Sequence, residues 1–132
     1  MILVADDDRV FSRLLCEQLK RHGFQAVAVF DALQAVTFAM RQPFEAILLD
    51  INMPCGTGME VLKRLKASLK TNFTPVIVIT SNDGDEIRST TESLGADRFL
   101  RKPLEFDELA RVLHEVLDPR PPATSASAAV RI

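Results

Sequence analysis

Four short apolar runs of the sequence each lead into side chains suited to phosphoryl chemistry. The residues that follow these runs are, in chain order, Asp6-Asp7-Asp8, Asp50, Thr80-Ser81 and Arg101-Lys102-Pro103. Carboxylates are the usual ligands of a hard divalent cation, while hydroxyl and ammonium groups bind phosphoryl oxygens. A fold that brings the ends of the four runs together would therefore build a site for metal-assisted phosphoryl transfer.

The alternation of short apolar runs with helical stretches predicts five βα units. The runs are predicted as parallel strands because they are short, aliphatic and β-branched. The predicted strands are 2–5, 25–30, 46–49, 76–79 and 98–101. We expect a doubly wound, flavodoxin-like α/β fold with a five-stranded parallel sheet of order 2-1-3-4-5, five helices and right-handed crossovers. Because ligand sites in such sheets form at the carboxyl ends of the strands where strand order reverses, Asp6 and Asp7 should lie beside Asp50.

Each predicted helix has a mostly apolar face for the sheet. Asp31 is the predicted N-cap of the second helix, and Asp8 is expected either to cap the first helix or to lie near the metal site. The third helix is predicted to reach about Lys70. The apolar positions assigned to the first helix are Val10, Phe11, Leu14, Leu15 and Leu19, and those assigned to the third are Met59, Val61, Leu62, Leu65 and Leu69.

Length and composition favour a single globular domain. The chain has 132 residues, of which 47% are hydrophobic and 26% charged, and its net charge of -2 gives no support to nucleic-acid binding. Cys16 and Cys55 are expected to be free thiols, since two cysteines make neither a disulfide framework nor a metal cluster. No leader precedes the first strand, and no apolar run approaches the roughly 20 residues of a membrane span, so we expect a soluble cytoplasmic protein.

The composition changes near the end of the chain. Residues 1–118 carry the alternating pattern and are predicted to form the domain. Residues 119–132 are rich in Pro, Ala and Ser and have no apolar periodicity. We expect them to form a flexible tail or a linker.

The clustered carboxylates predict a Mg²⁺ site. Three carboxylates a few ångströms apart repel one another, and a hard cation that keeps some of its waters relieves that repulsion in an all-oxygen site. One aspartate would then act as a nucleophile and form an aspartyl-phosphate. A lysine would neutralise the phosphoryl oxygens, and a hydroxyl at the end of a neighbouring strand would donate a hydrogen bond to them.

Over about residues 1–118 the chain resembles the CheY-like receiver domains of two-component response regulators. The resemblance rests on Asp6-Asp7, on Asp50-Ile51-Asn52-Met53-Pro54 with Gly58, on Thr80-Ser81 and on Lys102-Pro103. The order, the intervals and the placement at strand ends all match the family pattern. The set is specific, although each motif alone would be weak.

The resemblance implies a phosphoacceptor and its metal ligands. Asp50 would accept a phosphoryl group from the histidine of a partner kinase or phosphotransfer protein. Asp7 and Asp50 would bind Mg²⁺ directly, and Asp6 would act mainly through water. The backbone carbonyl of Asn52 would complete the protein's share of the coordination.

The resemblance also implies a conformational switch. Lys102 would contact the phosphoryl group, and the Lys102–Pro103 peptide would be cis. Thr80 would move toward the phosphate, and Phe99 would follow it inward as the aromatic switch residue. This two-state change would remodel the face of the fourth helix, fifth strand and fifth helix for a downstream protein or a missing output domain, or for homodimerisation on activation. The chain would thus be a signalling switch rather than an enzyme, assisting only its own phosphorylation and dephosphorylation.

Two departures from common family patterns bear on signalling. The switch position often holds tyrosine, and Phe99 lacks the hydroxyl that such a residue would offer a partner. Asn52 and Asn82 lie two residues beyond the phosphoacceptor and the threonine, at positions that tune the lifetime of the phosphorylated state. The sequence therefore leaves that lifetime open, together with the kinase, the output pathway and the oligomeric state.

Two other functions are compatible with parts of the pattern. Asp6-Asp7-Asp8-Arg9-Val10 also fits the D-x-D-x-V start of haloacid dehalogenase-type phosphatases, in which Asp6 would be the nucleophile. That scheme leaves Asp50 without a role. It also requires an acidic motif after the lysine, where this sequence has only one predicted helix and the tail. The second is a receiver-like binding module that acts without phosphorylation, although such modules usually lose the acidic pair, the phosphoacceptor or the lysine, and none is lost here.

Overall fold

The computed structural model describes residues 1–53, 58–81 and 84–118. Within these ranges, strands and helices alternate as the sequence predicts. Their bounds are β1 Ile2–Ala5, α1 Arg9–Arg21, β2 Ala26–Val29, α2 Ala32–Arg41, β3 Ala46–Leu49, α3 Gly58–Ala67, β4 Val76–Thr80, α4 Asp85–Ser93, β5 Arg98–Arg101 and α5 Phe106–Leu117. The predicted tail, 119–132, lies outside the described residues, as do Pro54, Cys55 and Asn82.

The strands form one parallel sheet in the order β2-β1-β3-β4-β5, which confirms the predicted fold class. β1 pairs with β3 so that Ala5 lies opposite Leu49, the last residue of each strand. Strand order therefore reverses beside β1, and the residues that follow β1 and β3 start from adjacent positions at the carboxyl edge of the sheet.

The sheet separates two apolar layers. Alternate strand residues point to opposite faces, so Leu3 and Ile47 pack with α2 and α3, while Ile2 and Leu48 pack with α1 and α5. All four of these strand side chains are buried. Strands covered on both faces explain why the sequence reads as continuous apolar runs rather than as alternating patterns.

Aspartates cap the first two helices. A carboxylate oxygen of Asp8 accepts a hydrogen bond from the backbone N–H of Phe11 at 3.0 Å, and one of Asp31 accepts from Gln34 at 2.8 Å. Each bond satisfies an N–H group that has no partner within its own helix. Asp31 is the cap that the sequence predicts, and of the two predicted places for Asp8 the structure shows the helix cap.

The predicted apolar faces are partly wrong. Val10 and Leu14 of α1 are 66% and 55% exposed, since the buried face of this helix consists of Ser12, Leu15 and Leu19. Leu69 is not in a helix and is 92% exposed, because α3 ends at Ala67. No helix in the described ranges is both long enough and apolar enough to cross a membrane.

Candidate functional site

The site lies at the carboxyl edge of the sheet, where β1 and β3 end side by side. Backbone hydrogen bonds continue the strand pairing by one residue, from Asp6 N to Val29 O at 3.1 Å and from Asp50 N to Ala5 O at 2.9 Å. Asp6 and Asp50 are thus fixed by the sheet itself rather than by a loose loop. Both are almost wholly buried, with 2% and 7% exposure, whereas Asp7 is exposed.

Lys102 joins the two buried carboxylates from the end of β5. Its Nζ lies 2.7 Å from Asp6 Oδ2 and 3.3 Å from Asp50 Oδ2, within ion-pair distance of both. The backbone N–H of Lys102 donates to the carbonyl of Thr80 at 3.0 Å, which ties this segment to the end of β4. The peptide bond between Lys102 and Pro103 is cis.

The second oxygen of each buried carboxylate accepts a backbone hydrogen bond. Asp6 Oδ1 accepts from Asp8 N at 2.9 Å, and Asp50 Oδ1 accepts from Asn52 N at 3.0 Å. With one oxygen held by the backbone and the other by Lys102, both carboxylates have a fixed orientation. Such fixed groups need little rearrangement during a reaction.

Burial and charge act against each other in this cluster. Burial raises the pKa of Asp6 above its ordinary value, and the negative charge of Asp50 adds to this, although hydrogen bonds from Lys102 and Asp8 work in the opposite direction. Burial alone would lower the pKa of Lys102, but its hydrogen bond to Asp6 and the charges of Asp6 and Asp50 outweigh burial and raise it. Lys102 therefore stays protonated and places a positive charge beside the two buried carboxylates.

The three carboxylates match the ligand set of a hard divalent cation. Asp6, Asp7 and Asp50 each offer an oxygen, and these oxygens all lie within 4.8 Å of one another. Because Asp7 is exposed, the cluster opens to solvent on one side, where a cation can keep some of its waters. An all-oxygen set with solvent access suits Mg²⁺ better than a soft metal.

Gly58 is required where α3 meets the site. Its N–H donates to the carbonyl of Ile51 at 2.7 Å, directly after the predicted phosphoacceptor. A Cβ at this position would collide with the Asp50 carbonyl oxygen and the Ile51 Cα. Only glycine lets the helix approach the Asp50 segment so closely.

The remaining predicted residues lie around this centre. Thr80 is the last residue of β4 and is fully buried, and it does not cap α4, whose N-cap is Gly84. Phe99 is partly buried on β5 opposite Val78, and the Arg88 guanidinium lies 5.3 Å from the centre of its ring.

Two residues beside the site were assigned no part in it on sequence grounds. The Lys102 ammonium lies 4.4 Å from the centre of the Phe11 ring, a cation–π distance. The buried Ser12 hydroxyl donates to the backbone carbonyl of Asp6 at 3.3 Å. The sequence predicts only an apolar helix position for Phe11, because an apolar residue on a helix face carries no signal for a cation from a distant part of the chain.

Comparison with known proteins identifies the family. Residues 2–114 match the sequence profile of the response regulator receiver domain. The transcriptional regulatory protein CpxR of Escherichia coli K12 is 35% identical over 116 residues, which cover 88% of this chain and 48% of CpxR. The chain spans about half the length of the curated relatives it matches.

Solved structures agree with this family. The receiver domain of Francisella response regulator 1452 has a TM-score of 0.83 and 27% identity, covering 89% of this chain and 96% of that one. The receiver domain of the sensor histidine kinase PA1611 of Pseudomonas aeruginosa PAO1, crystallised with magnesium in its active-site cleft, has a TM-score of 0.82 and 29% identity, covering 88% and 95%. The chain belongs to the response regulator receiver domains of two-component signalling systems, which are phosphorylatable signalling switches.

Proposed function

We propose that Asp50 accepts a phosphoryl group from a phosphohistidine of a partner kinase or phosphotransfer protein. The observation that carries this proposal is the position of the Asp50 carboxylate, oriented by Asn52 N–H and 3.3 Å from the Lys102 ammonium. A carboxylate oxygen of Asp50 attacks the phosphorus of the phosphohistidine. The new P–O bond forms as the P–N bond breaks, and the electron pair of the P–N bond stays with the imidazole of the donor. Lys102 neutralises charge on the phosphoryl oxygens during the transfer.

The carboxylate cluster is proposed as the site of Mg²⁺. Asp7 and Asp50 would be direct ligands, the backbone carbonyl of Asn52 a third, and Asp6 would act mainly through water. The bound cation would supply further positive charge for the phosphoryl oxygens. The spacing of the three carboxylates and the solvent access at Asp7 support this assignment.

The switch is proposed to run from Thr80 to Phe99. Once Asp50 is phosphorylated, the Thr80 hydroxyl donates to a phosphoryl oxygen, and Phe99 turns into the space beside β4. The pairing of β4 with β5 supports this coupling, as does the backbone bond between Lys102 and Thr80. The result is a changed surface on α4, β5 and α5 for a downstream protein, an output domain or a second copy.

The donor is proposed to dock beside the site on α1. This helix begins three residues after Asp6, and its exposed Val10 and Leu14 lie one turn apart on the same side. Apolar side chains next to the reactive edge offer contact area to a docking protein. We propose a cytoplasmic location, with neither direct nucleic-acid nor membrane binding by this domain. An output on transcription, which the name of CpxR indicates for that protein, would require a further domain.

The phosphatase alternative is not favoured. Its scheme leaves Asp50 without a role, the chain matches the receiver family, and Asp6 is held by both Lys102 and the Asp8 N–H. A receiver-like module that works without phosphorylation is not favoured either, because the acidic cluster and Lys102 are both intact. A phosphorylated switch is the function that these residues support best.

The test is phosphorylation by acetyl phosphate with and without Mg²⁺, followed by intact mass, on wild type and on Asp50→Asn. We expect an adduct of one phosphoryl group that needs Mg²⁺ and is lost in Asp50→Asn. Asp31→Asn is the matched control, since it makes the same change at a helix cap and should leave the adduct intact. An adduct that persists in Asp50→Asn and maps to Asp6 would contradict the proposal, and so would the absence of both an adduct and a beryllofluoride response.

A further inference from the structure

Two large apolar side chains stand almost fully in solvent on the loop between α3 and β4. Leu69 is 92% exposed and Phe73 is 91% exposed, the highest values among the exposed large hydrophobic residues of the described chain. Single exposed apolar residues are normal on a protein surface. Two that are nearly bare within one short loop make that loop a candidate apolar patch, and such patches mark places where another molecule binds.

The loop holds these side chains outward by an internal hydrogen-bond network. The buried Thr71 donates from its hydroxyl to the Leu65 carbonyl at 2.6 Å. Lys66 Nζ donates to the Thr74 carbonyl at 3.0 Å and lies 3.2 Å from Asp97 Oδ2, which itself accepts from Val76 N at 2.8 Å. Because the backbone between Leu69 and Phe73 is anchored, little ordering is needed when these side chains are buried by a partner.

The same surface is basic. The exposed positions of α3 nearest the loop are Lys63, Arg64 and Ala67, and Lys70 lies between the two apolar side chains in sequence. Among the described residues, the ion pairs of this segment are Lys63 with Glu60 and Lys66 with Asp97. The positive charges of Arg64 and Lys70 are therefore available to pair with an acidic partner. Ala67 is exposed, and its small side chain allows a partner to approach α3 closely.

The patch lies at the opposite end of the sheet from the phosphorylation site. The loop leads into the amino end of β4, whereas Asp6, Asp50 and Lys102 follow the carboxyl ends of their strands. A molecule bound at the loop would therefore leave the cleft open to a phosphoryl donor. Because of this position, the patch is a different surface from the one formed by α4, β5 and α5 and from the exposed apolar residues of α1.

We propose that Lys63, Arg64, Ala67, Leu69, Lys70 and Phe73, here called the α3–β4 surface, bind an acidic amphipathic helix of a partner protein. Leu69 and Phe73 enter the spaces between the apolar residues of that helix, and Ala67 lets it pack close to α3. Arg64 and Lys70 pair with carboxylates that flank its apolar stripe. The basic charge of the surface selects an acidic partner over a basic one.

The experiment measures fluorescence anisotropy of a labelled synthetic peptide of about 18 residues, with leucine at every third or fourth position and glutamate at the flanking positions. Wild-type protein should bind it, and Leu69→Ser/Phe73→Ser should weaken binding by about tenfold or more, since both buried anchors are lost. Arg64→Glu/Lys70→Glu should also weaken binding, and this loss should shrink at about 1 M salt. All four substitutions are at exposed positions, so the fold should persist, which circular dichroism checks.

Leu33→Ser is the matched control, because Leu33 is 68% exposed but lies at the start of α2. It should bind the peptide as wild type does, and a peptide with lysine in place of glutamate should bind none of the proteins. Unchanged binding by Leu69→Ser/Phe73→Ser would overturn the proposal. A wild-type dimer in light scattering that is lost in Leu69→Ser/Phe73→Ser would also overturn it. So would binding of the protein to vesicles of phosphatidylglycerol and phosphatidylcholine instead of the peptide. Acetyl phosphate labelling of the same variants tests the phosphorylation site separately.

Discussion

Asp6 places a carboxylate where burial disfavours its charge. Its pKa in the folded protein is raised above the ordinary value of 3.8, mainly by burial and further by the charge of Asp50, so the unfolded chain releases this proton at lower pH than the folded protein does. The stabilising effect of Asp6 is therefore full below that ordinary value and is lost as the pH rises through the folded pKa. At neutral pH, ionised Asp6 lowers the free energy of unfolding.

This reasoning predicts that Asp6→Asn stabilises the metal-free protein at pH 7. Asparagine stays neutral, and it removes the repulsion from Asp50. The gain should shrink steadily as the pH is lowered toward the acid range, where wild-type Asp6 is itself neutral. Thermal unfolding between pH 5 and 8 in the presence of EDTA measures this effect, and a variant less stable than wild type at pH 7 would mean that the ion pair with Lys102 outweighs burial.

At the residue scale, the sequence predicted which side chains cluster, because they lie at strand ends. Asp6 and Asp50 directly follow apolar runs, Asp7 and Lys102 lie one residue further along, and parallel strands end at one edge. The contact of Phe11 with Lys102 could not be predicted, because the two residues lie 91 positions apart in the chain and only the fold brings α1 beside the segment that follows β5. The sequence shows which groups are present, whereas packing decides which ring lies beside which cation.

At the element scale, α3 links the site to the opposite end of the domain. It begins at Gly58, pressed against the backbone of Asp50 and Ile51, and ends at Ala67 before the loop that carries Leu69. The predicted helix ran too far because Leu69 continues the spacing set by Leu65. The chain leaves the helix because the Thr71 hydroxyl donates to the Leu65 carbonyl oxygen. In a longer helix that oxygen would accept from a backbone N–H instead.

We expect Gly58→Ala to lower the free energy of unfolding by roughly 1–3 kcal/mol and to slow labelling by acetyl phosphate. The added methyl group would displace α3 or the Asp50 segment, and backbone atoms yield less readily than the end of a side chain. Gly84→Ala is the matched control, since a Cβ there meets nothing within 4 Å. That variant should lose less than about 1 kcal/mol and label normally, as urea unfolding and intact mass can show. Equal losses in the two variants would contradict the close-approach explanation for Gly58.

At the scale of the whole molecule, the sheet divides the core into two layers that share only the strand backbones. Leu62 is buried in the layer of α2 and α3, and Leu109 is buried in the layer of α1 and α5, both with no exposure. Sequence patterning predicted Leu62, which lies among the apolar positions of the third helix. It could not predict which strand residues would face each layer, because runs that are apolar throughout carry no alternation.

Leu62→Ala and Leu109→Ala should each cost about 2–5 kcal/mol, and the double variant should show the sum to within about 0.5 kcal/mol. The two cavities would lie on opposite sides of the sheet and share no side-chain partner. Urea unfolding of wild type, the two single variants and the double variant gives the free energies for this double-mutant cycle. A coupling larger than about 1 kcal/mol would show that the sheet transmits strain between the layers.

β5 is an edge of the sheet, and its four residues begin and end with exposed arginine. An open strand edge is a template for other chains, which add to it by backbone hydrogen bonding and grow into aggregates. A bulky cation at each end of so short a strand leaves a neighbouring strand only two residues on which to align, and like charges on a second copy repel it. We therefore expect the two arginines to disfavour amyloid-like growth from the β5 edge.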